Sequence, residues 1–165
     1  MLGAATLLVV VTGTGAFIIP GWYDIGADVP HTPLVLALIT ELRERSIAAR
    51  SGGVEVPKLD DPARVARGAH RYRELCAGCR LAPGTTRSLL RAGLYPHPPN
   101  LAAEVADEPR RAFRVVKHGI KMSAMPAWGR SLDDATSWDI VAFLQHLPAM
   151  SAANYQQLSG SAGPQ

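Results

Sequence analysis

Cys76-Ala-Gly-Cys79-Arg80 is the stretch of this chain best equipped to do chemistry. Two thiols three residues apart, followed at once by a third functional side chain, stand one residue from C-x-x-C-H, the covalent attachment sequence for c-type haem. In that sequence the thiols become thioethers to the porphyrin vinyl groups, and the adjacent imidazole becomes the proximal iron ligand. Here the ligand position holds Arg80. A guanidinium stays protonated at any pH a protein tolerates and has no lone pair to give to iron. The five residues therefore name a haem site and withhold its central bond.

The chain that must position these residues has 165 of them, 47% hydrophobic, with a net charge of +3. That length predicts one domain once the first stretch is set aside. Lysines and arginines are spread out rather than clustered, which excludes a nucleic-acid-binding patch and leaves a solvated surface of mixed charge. Leu2 to Ile19 is an uncharged apolar run of 18 residues. It is just long enough for a bilayer core of ~30 Å at a rise of ~1.5 Å per residue. With Trp22 and Tyr23 just beyond as interfacial aromatics, residues 1–20 are expected to form a transmembrane anchor or uncleaved signal. The remainder is then expected outside the cytoplasm, facing the periplasm of a bacterial inner membrane.

Residues 21–58 read as a connector that contains a helix over 33–50, opened by Thr32 and Pro33 and stopped by Gly52-Gly53. Its apolar start and charged end predict an amphipathic helix that spaces the domain from the membrane or packs on its side. The compact domain is expected over 59–150. Asp61 and Pro62 open a helix running to about Cys79, and a short helix follows around Thr86 to Ala92. Prolines 96, 98 and 99 impose an irregular loop. Asp107, Glu108 and Pro109 open a further helix, ended by Gly119 in the left-handed αL conformation. Asp133 or Asp134 caps a last helix to about Leu147, with Pro148 as its stop. Residues 151–165 are expected to be a disordered tail. No segment alternates with strand period, so the fold class is all-α.

This order of elements, with these motifs, resembles the class I cytochrome c family over about Asp60 to Met150. Gly68 and Tyr72 lie four apart on the helix before the Cys pair, where the family places a small residue and an aromatic so that first and last helices cross closely. Trp138 and Phe143 match the aromatics of the last helix. Leu81-Ala82-Pro83-Gly84 is similar to the loop whose Pro carbonyl receives the proximal imidazole N–H, so the resemblance keeps Pro83 as an outer partner of a ligand that is missing. Gly119 to Gly129 looks like the distal-ligand loop, in which Met directly before Pro carries the thioether. By that match Met125 is the distal iron ligand, a soft neutral sulfur suited to low-spin haem iron. Met122 is its rival but lacks the following Pro. A lone Met is ordinarily core filler; the place of Met125 in the chain order sets it apart.

The histidines have duller explanations. His118 ends a helix where a cationic ring favours the dipole. His97 lies in the Pro-rich loop that the family sets near the propionates. His70 is six residues before Cys76 and off its face, and His31 and His146 read as surface or packing residues.

The resemblance implies three things, to which the apolar run Leu2 to Ile19 adds a membrane anchor through the N-terminal helix. Haem c is held by Cys76 and Cys79, with Arg80 in place of the proximal His and Met125 on iron. Single-electron transfer joins partner redox proteins, without enzymatic catalysis. The domain comprises about four helices around the haem. Arg80 leaves two other readings open. One is a haem-free degenerate domain with a passive Cys76–Cys79 disulfide that serves as a structural or interaction module. The other is an open iron position used for small-ligand chemistry, which no distal acid–base pair supports.

Overall fold

The computed structural model of the protein describes residues 2–104 and 107–160. All regular elements among these residues are helical. The chain divides into two units, Met1–Pro30 and His31–Gln165.

The first unit holds α1 (Leu2–Ile18), whose leucines and valines from Leu7 to Val11 are exposed, and Trp22 packed edge-on to Phe17 at 6.3 Å. The expected transmembrane anchor is not found. Among the described residues no helix is long and apolar enough to cross a membrane. Helix α1 has 17 residues, about 26 Å at the α-helical rise, against a hydrocarbon core of ~30 Å. Pro20 follows two residues after its end, and its missing N–H stops any extension.

The second unit contains α2 (Pro33–Ser51), α3 (Pro62–Leu75), α4 (Ala77–Arg80), α5 (Leu89–Ala92), α6 (Pro109–His118), α7 (Asp134–His146) and α8 (Ala152–Gly160). Helix ends follow from local chemistry. Asp61 accepts from the N–H of Ala63 at 3.0 Å, and Ser88 from Arg91 at 3.4 Å. Glu108 accepts from Arg111 at 3.2 Å, and Asp133 from Thr136 at 2.7 Å. Each satisfies a backbone donor that the first turn leaves unpaired. Thr32 makes no such bond, so Pro33 alone marks the start of α2.

The first and last helices of the expected domain, α3 and α7, cross in close contact, and the crossing is what sets the core. A Cβ on Gly68 would lie 1.9 Å from the carbonyl oxygen of Asp139 and 2.8 Å from Cβ of Phe143. Only a hydrogen at that position lets the backbones approach so closely. Tyr72 packs on Phe143 at 5.2 Å from the same side of α3, as the spacing of four predicts. A second cluster joins α6 to α7 through Phe113 stacked on Trp138 at 4.2 Å. Asp139, buried on α7, receives Arg67 at 2.6 Å and Arg64 at 3.2 Å from α3, a pairing that the sequence pattern did not single out.

Helix α2 packs on the side of the domain, one of its two expected placements: Glu44 pairs with Arg111 of α6 at 2.5 Å. Its apolar residues Leu34, Leu38 and Leu42 face outward rather than into a core. The expected disordered tail is, over Ala152–Gly160, a helix lying along α3. Tyr155 is its anchor, buried against Tyr72 and Phe143 with centroids at 6.4 and 6.1 Å. Residues 161–165 of that tail lie outside the described residues.

Candidate haem-attachment site

The Cys pair sits at a break in the helix. Cys76, with φ −119° and ψ −39°, closes α3 through its N–H to the carbonyl of Tyr72 and also opens α4. Its own carbonyl accepts from the N–H groups of Cys79 at 3.0 Å and Arg80 at 2.9 Å. That tight turn puts two thiols on one side of α4, where side chains at i and i+3 are neighbours. Both cysteines are free and half-buried, so the disulfide of the haem-free alternative is not formed here. Burial among Tyr72, Leu101 and the α3–α7 core pushes the Cys76 thiol up to about 12, with the Arg80 charge opposing.

Leu81 then turns the chain with φ 64° and ψ 172°, a region essentially reserved for glycine. Three contacts hold it there. Its N–H donates to Ala77 at 3.0 Å, its carbonyl accepts from the buried Tyr72 hydroxyl at 2.6 Å, and its side chain is buried. Leu101 N–H donates to the Arg80 carbonyl at 3.2 Å, which pins the backbone at position 80 from the other side. Pro83 is half-buried in the next turn, which Thr85 N–H closes onto the Ala82 carbonyl at 2.8 Å.

The opposite wall is the Gly119–Gly129 loop. Gly119 has φ 63° and ψ −168°, a mirror-image extended conformation rather than the αL expected. A Cβ there would lie 2.6 Å from the Met125 carbonyl oxygen. The loop is closed by Ile120 N–H to that carbonyl at 3.1 Å, and Ser123 links the Ile120 carbonyl to the Met125 N–H. Met125 is thereby held half-buried, whereas Met122, at φ 54°, is fully exposed.

These two walls meet at one contact: the Arg80 Nη2 lies 3.5 Å from the Met125 Sδ. Arg80 makes no ion pair among the described residues, and burial lowers its pKa, opposed by the nearby Cys76, Tyr72, Cys79 and Glu104 groups. The histidines stand elsewhere. His70 faces Glu74 at 3.6 Å, His97 Nδ1 lies 3.2 Å from the Arg91 carbonyl oxygen, and His31 packs edge-on to Tyr95 at 5.5 Å. His118 is exposed, and partial burial with neighbouring Arg114 and Lys117 lowers its pKa; its ring favours the neutral form over the cationic one expected at a helix end. His146 is exposed at the end of α7. No group of three or more His, Cys, Asp or Glu among the described residues is placed to hold a metal ion.

Two thiols on one turn, an outer Pro turn and a loop-borne thioether against Arg80 are consistent with a cytochrome c-like domain. Residues 63–144, about half the chain, match the family model described as cytochrome C oxidase, cbb3-type, subunit III. No curated protein and no solved structure matches the chain. The thiols fit covalent attachment of haem and Met125 fits one axial position. Arg80 fits no ligand role.

Sequence reasoning placed Tyr72 at the helix crossing and missed its hydroxyl bond to Leu81. It also missed Tyr155, although the i, i+3 pair Tyr155 and Leu158 in a polar tail was a usable sign of a packed face.

Proposed function

We propose that this domain is a c-type cytochrome carrying single electrons between partner redox proteins, with haem joined to Cys76 and Cys79 and Met125 as its axial sulfur. The observation that carries the reading is that the family-matched segment contains the thiol pair, Arg80 and Met125, with the Arg80 guanidinium against the Met125 sulfur. Bound haem supplies a reversible one-electron couple at iron. The chain's own part is to hold and shield. The thiols fix the position of the group, the closed loop around Gly119 presents the Met125 sulfur, and Tyr72 and Leu101 fix the backbone carrying position 80. Met125 is a neutral donor, and Arg80 contributes charge without a bond.

The domain's place is on the periplasmic side of a bacterial inner membrane, a reading supported by the uncharged apolar run Leu2 to Ile19. Its modest positive charge suits acidic docking surfaces on redox partners. Electron carriage, rather than catalysis, is the role. The test is a reduced pyridine-haemochrome spectrum of protein produced together with haem-attachment machinery. A c-type α-band is expected. Its absence, with both thiols still free, shifts the function to a haem-free interaction module.

A further inference from the structure

The Cys76–Cys79 turn carries two free thiols and the Arg80 cation, the Met125 sulfur lies against that cation, and no cluster of three His, Cys, Asp or Glu among the described residues is placed to hold a metal. That donor set discriminates sharply among metal ions. Zinc asks for four ligands of thiolate, imidazole or carboxylate type, and calcium or magnesium for many oxygens. A monovalent soft ion such as Cu(I) is selected by sulfur and is satisfied by two thiolates.

We infer that the haem-free chain has a Cu(I)-binding site in the Cys76–Cys79 turn, with Arg80 as its counter-charge. The two thiols belong to one turn closed by Cys79 and Arg80 N–H groups on the Cys76 carbonyl, so the pair needs no loop closure to act together. Binding replaces two thiol protons by one Cu(I), leaving a complex of charge −1 and releasing two protons, with no change of oxidation state. The Arg80 guanidinium belongs to the same turn, is unpaired by any carboxylate among the described residues, and acts electrostatically on both thiols. A −1 complex beside it is neutralised.

The inference concerns the chain before any covalent attachment and stands independently of the cytochrome reading, because thioether formation consumes the same sulfurs. The experiment is a competition of the reduced, haem-free full chain with the chromophoric chelator bicinchoninate for Cu(I), in the absence of oxygen. One equivalent is expected to move to the protein. Cys79→Ser is expected to weaken retention at least tenfold, and Arg80→Gln severalfold with unchanged stoichiometry. Zn(II) at the same concentration is expected to leave both thiols reactive to a disulfide reagent. Circular dichroism of Cys79→Ser, whose side chain is half-exposed, checks that its fold is retained. Failure of the parent chain to withdraw Cu(I), equal retention by a folded Cys79→Ser, or protection of the thiols by Zn(II) as complete as by Cu(I) would overturn the site.

Discussion

Arg80 and Met125, 45 residues apart in sequence, meet with Nη2 3.5 Å from Sδ. The contact joins the turn that carries the thiols to the loop that carries the thioether. It puts a permanent cation against a neutral soft donor, a weak hydrogen bond that uses one of the guanidinium's five donors.

Arg80→His exchanges that cation for an imidazole on the same pinned backbone. With haem attached, a six-coordinate low-spin His/Met spectrum is expected in the variant. The parent is expected to give a high-spin or mixed spectrum. Visible absorption of the two purified proteins decides it. A variant that fails to retain haem would count against the cytochrome reading itself.

Tyr72→Phe removes the hydroxyl that holds the Leu81 carbonyl at 2.6 Å. A buried acceptor left without its donor costs ~1–3 kcal/mol. The rare backbone conformation of Leu81 loses one of its three restraints at the same time. Urea unfolding is expected to show a lower midpoint with an unchanged slope. Equal midpoints would mean that the bond does not support the turn.

Gly68→Ala places a methyl where the Asp139 carbonyl oxygen is only 1.9 Å away. The backbones of α3 and α7 must separate, and overpacking of this kind typically costs up to ~3 kcal/mol. Thermal unfolding is expected to fall by more than for Ala63→Gly on the first turn of the same helix. A smaller fall would show that the crossing is looser than these contacts imply.

The stability profile is expected to slope on both sides of neutrality. The pKa values of Asp133 and Glu44 are lowered, the former by its bonds to Thr136 and the latter chiefly by Arg43. Their contributions are present above the ordinary carboxylate range and are lost as pH falls through the lowered folded values. Cys76 has the opposite sign. Its thiol is held neutral up to about 12 by burial, while the unfolded thiol ionises from about pH 9, so stability falls with rising pH across that window. Cys76→Ala is expected to flatten the alkaline limb, and Asp133→Asn the acid one, in urea midpoints measured against pH. An alkaline limb equally steep in Cys76→Ala would place its origin in another group, such as the buried Tyr72 hydroxyl.

Several elements could be read from residue order because their causes are local. Pro62 after Asp61, Pro109 after Glu108 and the Asp133 cap start their helices wherever the chain goes next, since each satisfies or removes a donor of its own first turn. Gly68 and Tyr72 announced a crossing through their spacing alone. The break of α3 at Cys76, the mirror-image extended backbone at Gly119 and the helical tail were not legible in this way. Each depends on partners distant in sequence or on a backbone state that residue type permits without requiring.

The sequence by itself determined that the chain is helical, that two thiols share a turn, and that position 80 cannot ligate iron, because propensity, spacing and side-chain chemistry belong to the residues. Only the tertiary structure decided that Met125 rather than Met122 faces Arg80, and that Tyr155 seals the core beside Cys76. Among the described residues it also leaves no helix long and apolar enough to cross a membrane. Those outcomes turn on which surfaces meet when the helices pack and on where the chain stops being helical, and residue order carries neither.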